Sequence, residues 1–129
     1  MNISKKYHNK SFKIFIDIYN INIILYVGDY DWYQNKIAKM GVAKEEQVNY
    51  GGESFVADFE GINISVIWMP EITFTCENYS ILAHEVLHIS FRNMQSIGFK
   101  FDYDNTEPIN YLFGGIYEKI LRRLIKRTK

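Results

Sequence analysis

From Phe12 to Val27 apolar side chains recur at every second position: Phe12, Ile14, Ile16 and Ile18, then Ile21, Ile23, Leu25 and Val27. Successive side chains of a strand point to opposite faces, so a period of two predicts strands with one buried face and argues against a helix. The segment "YNIN", residues 19–22, interrupts the run and predicts a turn or bend between two strands.

The stretch after Gly28, "DYDWYQNKIAKMG", changes period. Asp29 or Asp31 is a candidate N-cap, Trp32, Ile37 and Met40 have helical spacing, and Gly41 is a natural stop. Residues 42–53 read as a loop. "SFVADFEGINISVIWMP" then holds two β-rich runs separated by "EG", which predicts a hairpin closed by Pro70. A helix capped by Asn78 or Thr75 is expected from near Tyr79 to about Ser96, stopped by Gly98. A last helix is expected from near Thr106, with Pro108 in its first turn, towards Lys126.

The order β-β-α-β-β-α-α predicts an α+β fold, with a small mixed sheet on which the longer helices pack. At 129 residues, 47% hydrophobic and 23% charged, the composition fits one domain spanning residues 1–129, with residues 1–11 as an N-terminal arm. Ten Tyr and nine Phe predict an aromatic-rich core and cleft lining.

Fifteen basic and fifteen acidic side chains balance overall. Their distribution is uneven, because Lys119, Arg122, Arg123, Lys126, Arg127 and Lys129 place six positive charges and no acid at residues 119–129. A solvated terminal helix end explains such a cluster, since cations suit the negative end of the helix dipole; nucleic-acid binding is the weaker alternative. Cys76 stands alone, which excludes an intrachain disulfide. "MNISKKYHNK" has no apolar run resembling a signal peptide, and "IFIDIYNINIILYV" is too short and too polar to span a bilayer, so a cytoplasmic protein without a membrane partner is expected.

The stretch "SILAHEVLHISF", residues 80–91, holds His84, Glu85 and His88. Residues i and i+4 share one face of a helix, so both imidazoles can present a ring nitrogen to one ion. Glu85 is displaced around the helix, which puts its carboxylate beside the metal and makes it the candidate base for a metal-bound water. With three His and nine Glu, a shuffled chain would carry H-E-x-x-H in roughly three cases in a thousand, so the motif is specific. The competing reading is a core helix whose apolar face is Ile81, Leu82, Leu87, Phe91 and Met94.

A catalytic zinc takes three protein ligands and keeps one position open, so a third ligand is expected. His8 lies far upstream, in the arm. Among the later acids Glu107 is the first candidate, in the first turn of the last helix, where the dipole favours a carboxylate; Asp104 is the second. Asp102 or Asp104 can instead accept a histidine N–H and so fix its tautomer. Gly114 and Gly115 in mid-helix predict a close approach to the histidine helix that compensates their poor helix propensity. Tyr111, one turn after Glu107, is a candidate donor to an oxyanion, with ordinary packing the alternative.

"HEVLH" followed nineteen residues after His88 by Glu107 resembles the gluzincin branch of the zincin metallopeptidases. More narrowly, "ILAHEVLHISF" with "GFKFDYDNTEPINYLFGGI" resembles small metallopeptidase-like proteins encoded by phages and prophages, which also carry a "VGD"-like element, here Val27, Gly28 and Asp29. The likeness is specific over about residues 78–118. It implies a minimal zincin-like fold, Zn2+ on His84, His88 and Glu107, Glu85 as general base, and a peptide or protein substrate. The chain departs from the pattern in having no later histidine and no room for a second lobe. The expectation is a zinc-dependent peptidase; the alternative is a zinc-stabilised accessory or interaction protein without catalysis. The strand "INISVIWM" is a candidate sheet edge for an extended peptide, with sheet interior as the competing reading.

Overall fold

A computed structural model of the chain describes residues 7–42, 51–100, 102 and 104–126. The period-two segment forms strands β1 (Lys10–Ile16) and β2 (Ile21–Val27), joined through a single 3-10 turn at Asp17–Tyr19. Helix α1 (Tyr30–Ala38) follows. Then come the hairpin strands β3 (Glu53–Phe59) and β4 (Ile62–Met69), and the two long helices α2 (Cys76–Ser96) and α3 (Glu107–Lys126). The fold is α+β, with a four-stranded mixed sheet in the order β1-β2-β4-β3.

β1 and β2 pair antiparallel, β2 and β4 parallel, β3 and β4 antiparallel. The turn between β3 and β4 has positive φ at both central residues, Glu60 (53°) and Gly61 (79°). That backbone twist suits a two-residue hairpin, and glycine adopts it at little cost.

Both faces of the central strands are covered, which explains the nearly unbroken apolar run "VIWM" in β4. On one face Phe12, Ile14, Leu25, Ile67 and Met69 meet Leu82, Val86 and Ile89 of α2 and Ile116, Ile120 and Leu124 of α3. On the other face Tyr26, Val66 and Trp68 meet Tyr30, Tyr33 and Ile37 of α1. Fully burying an aliphatic side chain of this size contributes about 2 kcal/mol, so the two layers dominate the fold's stability.

Several expectations are corrected. β1 starts at Lys10, inside the segment read as an arm, and Tyr7 is buried with its hydroxyl donating to the Leu124 carbonyl (2.6 Å). Of the two readings of β4, sheet interior holds and the edge does not: β4 is flanked by β2 and β3, and the edges are β1 and β3. Ile18 belongs to the turn and not to β1. α2 starts at Cys76, three residues before Tyr79, because Thr75 and not Asn78 caps it. Most of the expected loop, residues 43–50, lies outside the described residues, and Glu53 already belongs to β3. Among the described residues no helix is long and apolar enough to cross a membrane.

Candidate functional site

The connection from β4 into α2 is tied by side chains. Thr75 Oγ1 accepts the Asn78 N–H (3.2 Å), Asn78 Oδ1 accepts the Thr73 N–H (3.1 Å), and Asn78 Nδ2 donates to the Glu71 carbonyl (3.0 Å). An N-cap of this kind contributes about 1 kcal/mol and fixes where the helix begins. One turn from the other end, Asn93 Nδ2 donates to Ser65 Oγ of β4 (2.8 Å). Two polar anchors therefore set which face of α2 meets the sheet.

With that phase set, Leu82, Val86, Ile89 and Asn93 point inward, and His84 and His88 lie exposed on the outer face. Leu87 and Phe91, which the competing core-helix reading placed on the apolar face, stay exposed (41% and 37%). The helix buries a narrower stripe than its apolar content suggested, because one turn carries both the packing face and the histidines.

His84 Nε2 and His88 Nε2 lie 3.0 Å apart, with their rings edge to face. At that distance one imidazole N–H donates to the other ring's lone pair, the roles depending on the tautomer. Two nitrogens bound to one tetrahedral zinc stand about 3.3 Å apart, so the spacing is also compatible with a shared ion. Glu85 turns the other way and is buried (7% exposed). Its Oε1 accepts the Ser54 Oγ hydrogen at 2.7 Å, a bond from edge strand β3. A buried carboxylate without a donor is costly, and Ser54 supplies one.

Backbone proximity makes this bond possible. A Cβ on Gly52 would lie 3.1 Å from Ile81 Cγ2, 3.2 Å from the Trp68 carbonyl and 3.3 Å from Glu85 Cγ, so a side chain there would push these neighbours by a few tenths of an ångström, and glycine lets the chain entering β3 run this close to α2 without that. The result is a cleft of about 360 Å³ lined by Gly51, Gly52, Ser80, Ile81, His84 and Glu85. Ser54 and Gly52 escaped the sequence reading; the paired glycines of "GGES" directly before a strand were the available signal of close approach.

Glu53, the neighbour of Ser54, points to the opposite face. The Tyr33 hydroxyl donates to Glu53 Oε2, and the Tyr30 hydroxyl to Oε1 (3.3 Å). Burial, then the Glu53 carboxylate beside it, pushes the Tyr33 phenol far above its ordinary range. The start of β3 is thus pinned to the helices on both sides of the sheet.

The other expected site residues are not gathered at the histidines. Glu107 is exposed in the first turn of α3, and Tyr111 is 76% exposed. Asp102 Oδ1 accepts the Asp104 N–H (2.9 Å) within their own loop. His8 pairs with Asp29 at 3.3 Å, at the junction of β2 and α1. Among the described residues no three His, Cys, Asp or Glu side chains form a group that would hold a metal ion. The close helix approach expected at Gly114 and Gly115 is absent: both are exposed, and a Cβ on either would meet nothing within 4 Å. The two long helices are instead tied at Tyr117, whose hydroxyl donates to the Tyr79 carbonyl (3.1 Å).

Two imidazole nitrogens thus converge on the outer face of α2, and the Glu85 carboxylate is held by Ser54 in the adjoining cleft, which His84 also lines. No protein-family model, curated protein or solved structure matches this chain.

Proposed function

We propose that the chain is a zinc-dependent hydrolase acting on peptides, with His84, His88 and Glu107 as metal ligands, Asp104 as the alternative third ligand, and Glu85 as general base. The observation that carries this reading is the convergence of His84 Nε2 and His88 Nε2 at 3.0 Å, with the buried Glu85 carboxylate in the cleft that His84 also lines. When bound, zinc polarises a carbonyl oxygen and brings the acidity of its water near neutrality.

Glu85 takes the proton of the attacking water and returns it to the leaving amine. Ser54 holds one oxygen of that carboxylate and leaves the group oriented along the cleft. Strand β3 is an edge of the sheet among the described residues, and next to Ser54 an extended peptide can pair along it through backbone hydrogen bonds. Tyr111 is the proposed donor to the developing oxyanion.

A second reading, a zinc-stabilised interaction module without catalysis, draws on Leu87 and Phe91, whose exposure next to the histidines gives a partner apolar ground. Metal analysis of wild type and Glu85→Gln, combined with cleavage of a peptide library, separates the two. The peptidase reading expects metal in both proteins and cleavage by wild type alone. Metal in both without cleavage selects the interaction module, and a wild type that binds no metal defeats both.

A further inference from the structure

At the opposite edge of the sheet from the histidine cleft, β1 and the C-terminal half of α3 enclose a groove of about 620 Å³ lined by Lys13, Phe15, Lys119, Arg122, Arg123 and Ile125 together with Ile14. Four of these seven residues are cationic and none is acidic. Glu118 offsets one charge, since its Oε1 lies 2.8 Å from Arg122 Nη2. Phe15 is 46% exposed and Ile125 41%. Lys13 and Phe15 alternate with the buried Ile14, so they flank the groove at the β1 edge from the sheet face opposite α3, and a strand that uses both sides passes over that edge.

We propose that this groove binds single-stranded nucleic acid, with backbone phosphates on Lys13, Lys119, Arg122 and Arg123 and a base stacked on Phe15. The pairing of a cationic track with an exposed aromatic ring is what such strands require, because every base has a π-face and every link carries a charge. Lys119, Arg122 and Arg123 recur at helical spacing i, i+3, i+4, so they share one side of α3 and follow the groove along its axis. The sequence carries the charge onward through Lys126, Arg127 and Lys129.

An acidic peptide adding to β1 is disfavoured. The Lys119 ammonium is anchored on the Phe15 carbonyl (2.8 Å), at the edge where an incoming strand would have to pair.

The site stands apart from the histidine cleft, with β2 and β4 between the two edge strands, so it does not depend on the hydrolase reading.

The test is fluorescence anisotropy of the full chain with labelled single-stranded oligonucleotides of mixed sequence, about 12 nucleotides long, DNA and RNA in separate arms, against a duplex, an acidic peptide and acidic phospholipid vesicles. Micromolar binding of a single strand is expected, falling roughly twentyfold between 50 and 200 mM salt if about three phosphates are neutralised. Lys13→Glu combined with Arg123→Glu should abolish it, and Phe15→Ala should weaken it about tenfold while circular dichroism shows an intact fold. Preference for DNA or for RNA names the source and either supports the proposal. It is overturned by absent binding at 50 mM salt, by tighter binding to peptide, vesicles or duplex, by unchanged binding in the folded groove variants, or by loss of binding only when Lys126, Arg127 and Lys129 are changed.

Discussion

Tyr33 illustrates how one side chain ties a site to its scaffold. Its ring is fully buried against Trp68 and Tyr26, and its hydroxyl spends its proton on Glu53, the residue before Ser54. Burial and that carboxylate both disfavour the phenolate, and burial does the same to Tyr26. A phenol whose folded-state affinity for its proton exceeds the unfolded value of about 10 stabilises the fold fully below pH 10. Above it the unfolded chain releases the proton and the native one keeps it, so stability falls as pH rises. The urea midpoint, followed by tryptophan fluorescence, should therefore hold steady up to about pH 9.5 and drop between about pH 10 and 11. Tyr33→Phe should cost about 1 kcal/mol at neutral pH and give a shallower alkaline decline, since Tyr26 and Tyr117 still contribute with the same sign. An alkaline slope identical to wild type would show that Tyr33 is not the group responsible.

At the scale of elements, α3 supplies a case in which helix propensity is left uncorrected. Gly114 and Gly115 sit in the helix interior with open space where a Cβ would go and without positive φ. Alanine at each should stabilise the protein by about 1 kcal/mol, read as a raised denaturant midpoint with an unchanged slope. Loss of stability on either change would mean that a partner or a bound state fills that space. The same glycines show what sequence could and could not yield. Periodicity set the strands, the hairpin and both long helices, because each buries a face whose spacing is written locally. H-E-x-x-H placed His84, Glu85 and His88 because one helical turn determines their relation. Which strand lies at the edge, which glycines meet a neighbour, and whether Glu107 reaches the histidines depend on pairings between distant segments. Nothing in "FGGI" distinguishes a glycine that admits a helix from one that faces water. "GGES" carried the close approach instead, and only the pairing of β3 with β4 reveals why.

For the molecule as a whole, the sheet separates two surfaces of opposite character: an acid-and-imidazole cleft at β3 and a cationic groove at β1. A ligand that binds only the folded chain adds stability by mass action, so zinc at about a hundred times its dissociation constant should contribute about 2.7 kcal/mol. For a domain of this length that corresponds to a rise in Tm of roughly 10 °C over a chelator-treated sample. His84 and His88 are exposed and belong to neither apolar cluster, so replacing both by alanine should leave the chelator-treated Tm nearly unchanged while removing the response to zinc. Glu85→Gln should keep the response, because Glu85 is not one of the proposed ligands and Gln retains an acceptor for Ser54. Glu107→Ala against Asp104→Ala, read by the same zinc-dependent shift, then decides the third ligand: the response should shrink for Glu107 alone. A wild type whose Tm ignores zinc would remove the metal from the account and leave the imidazole pair as a surface feature of α2.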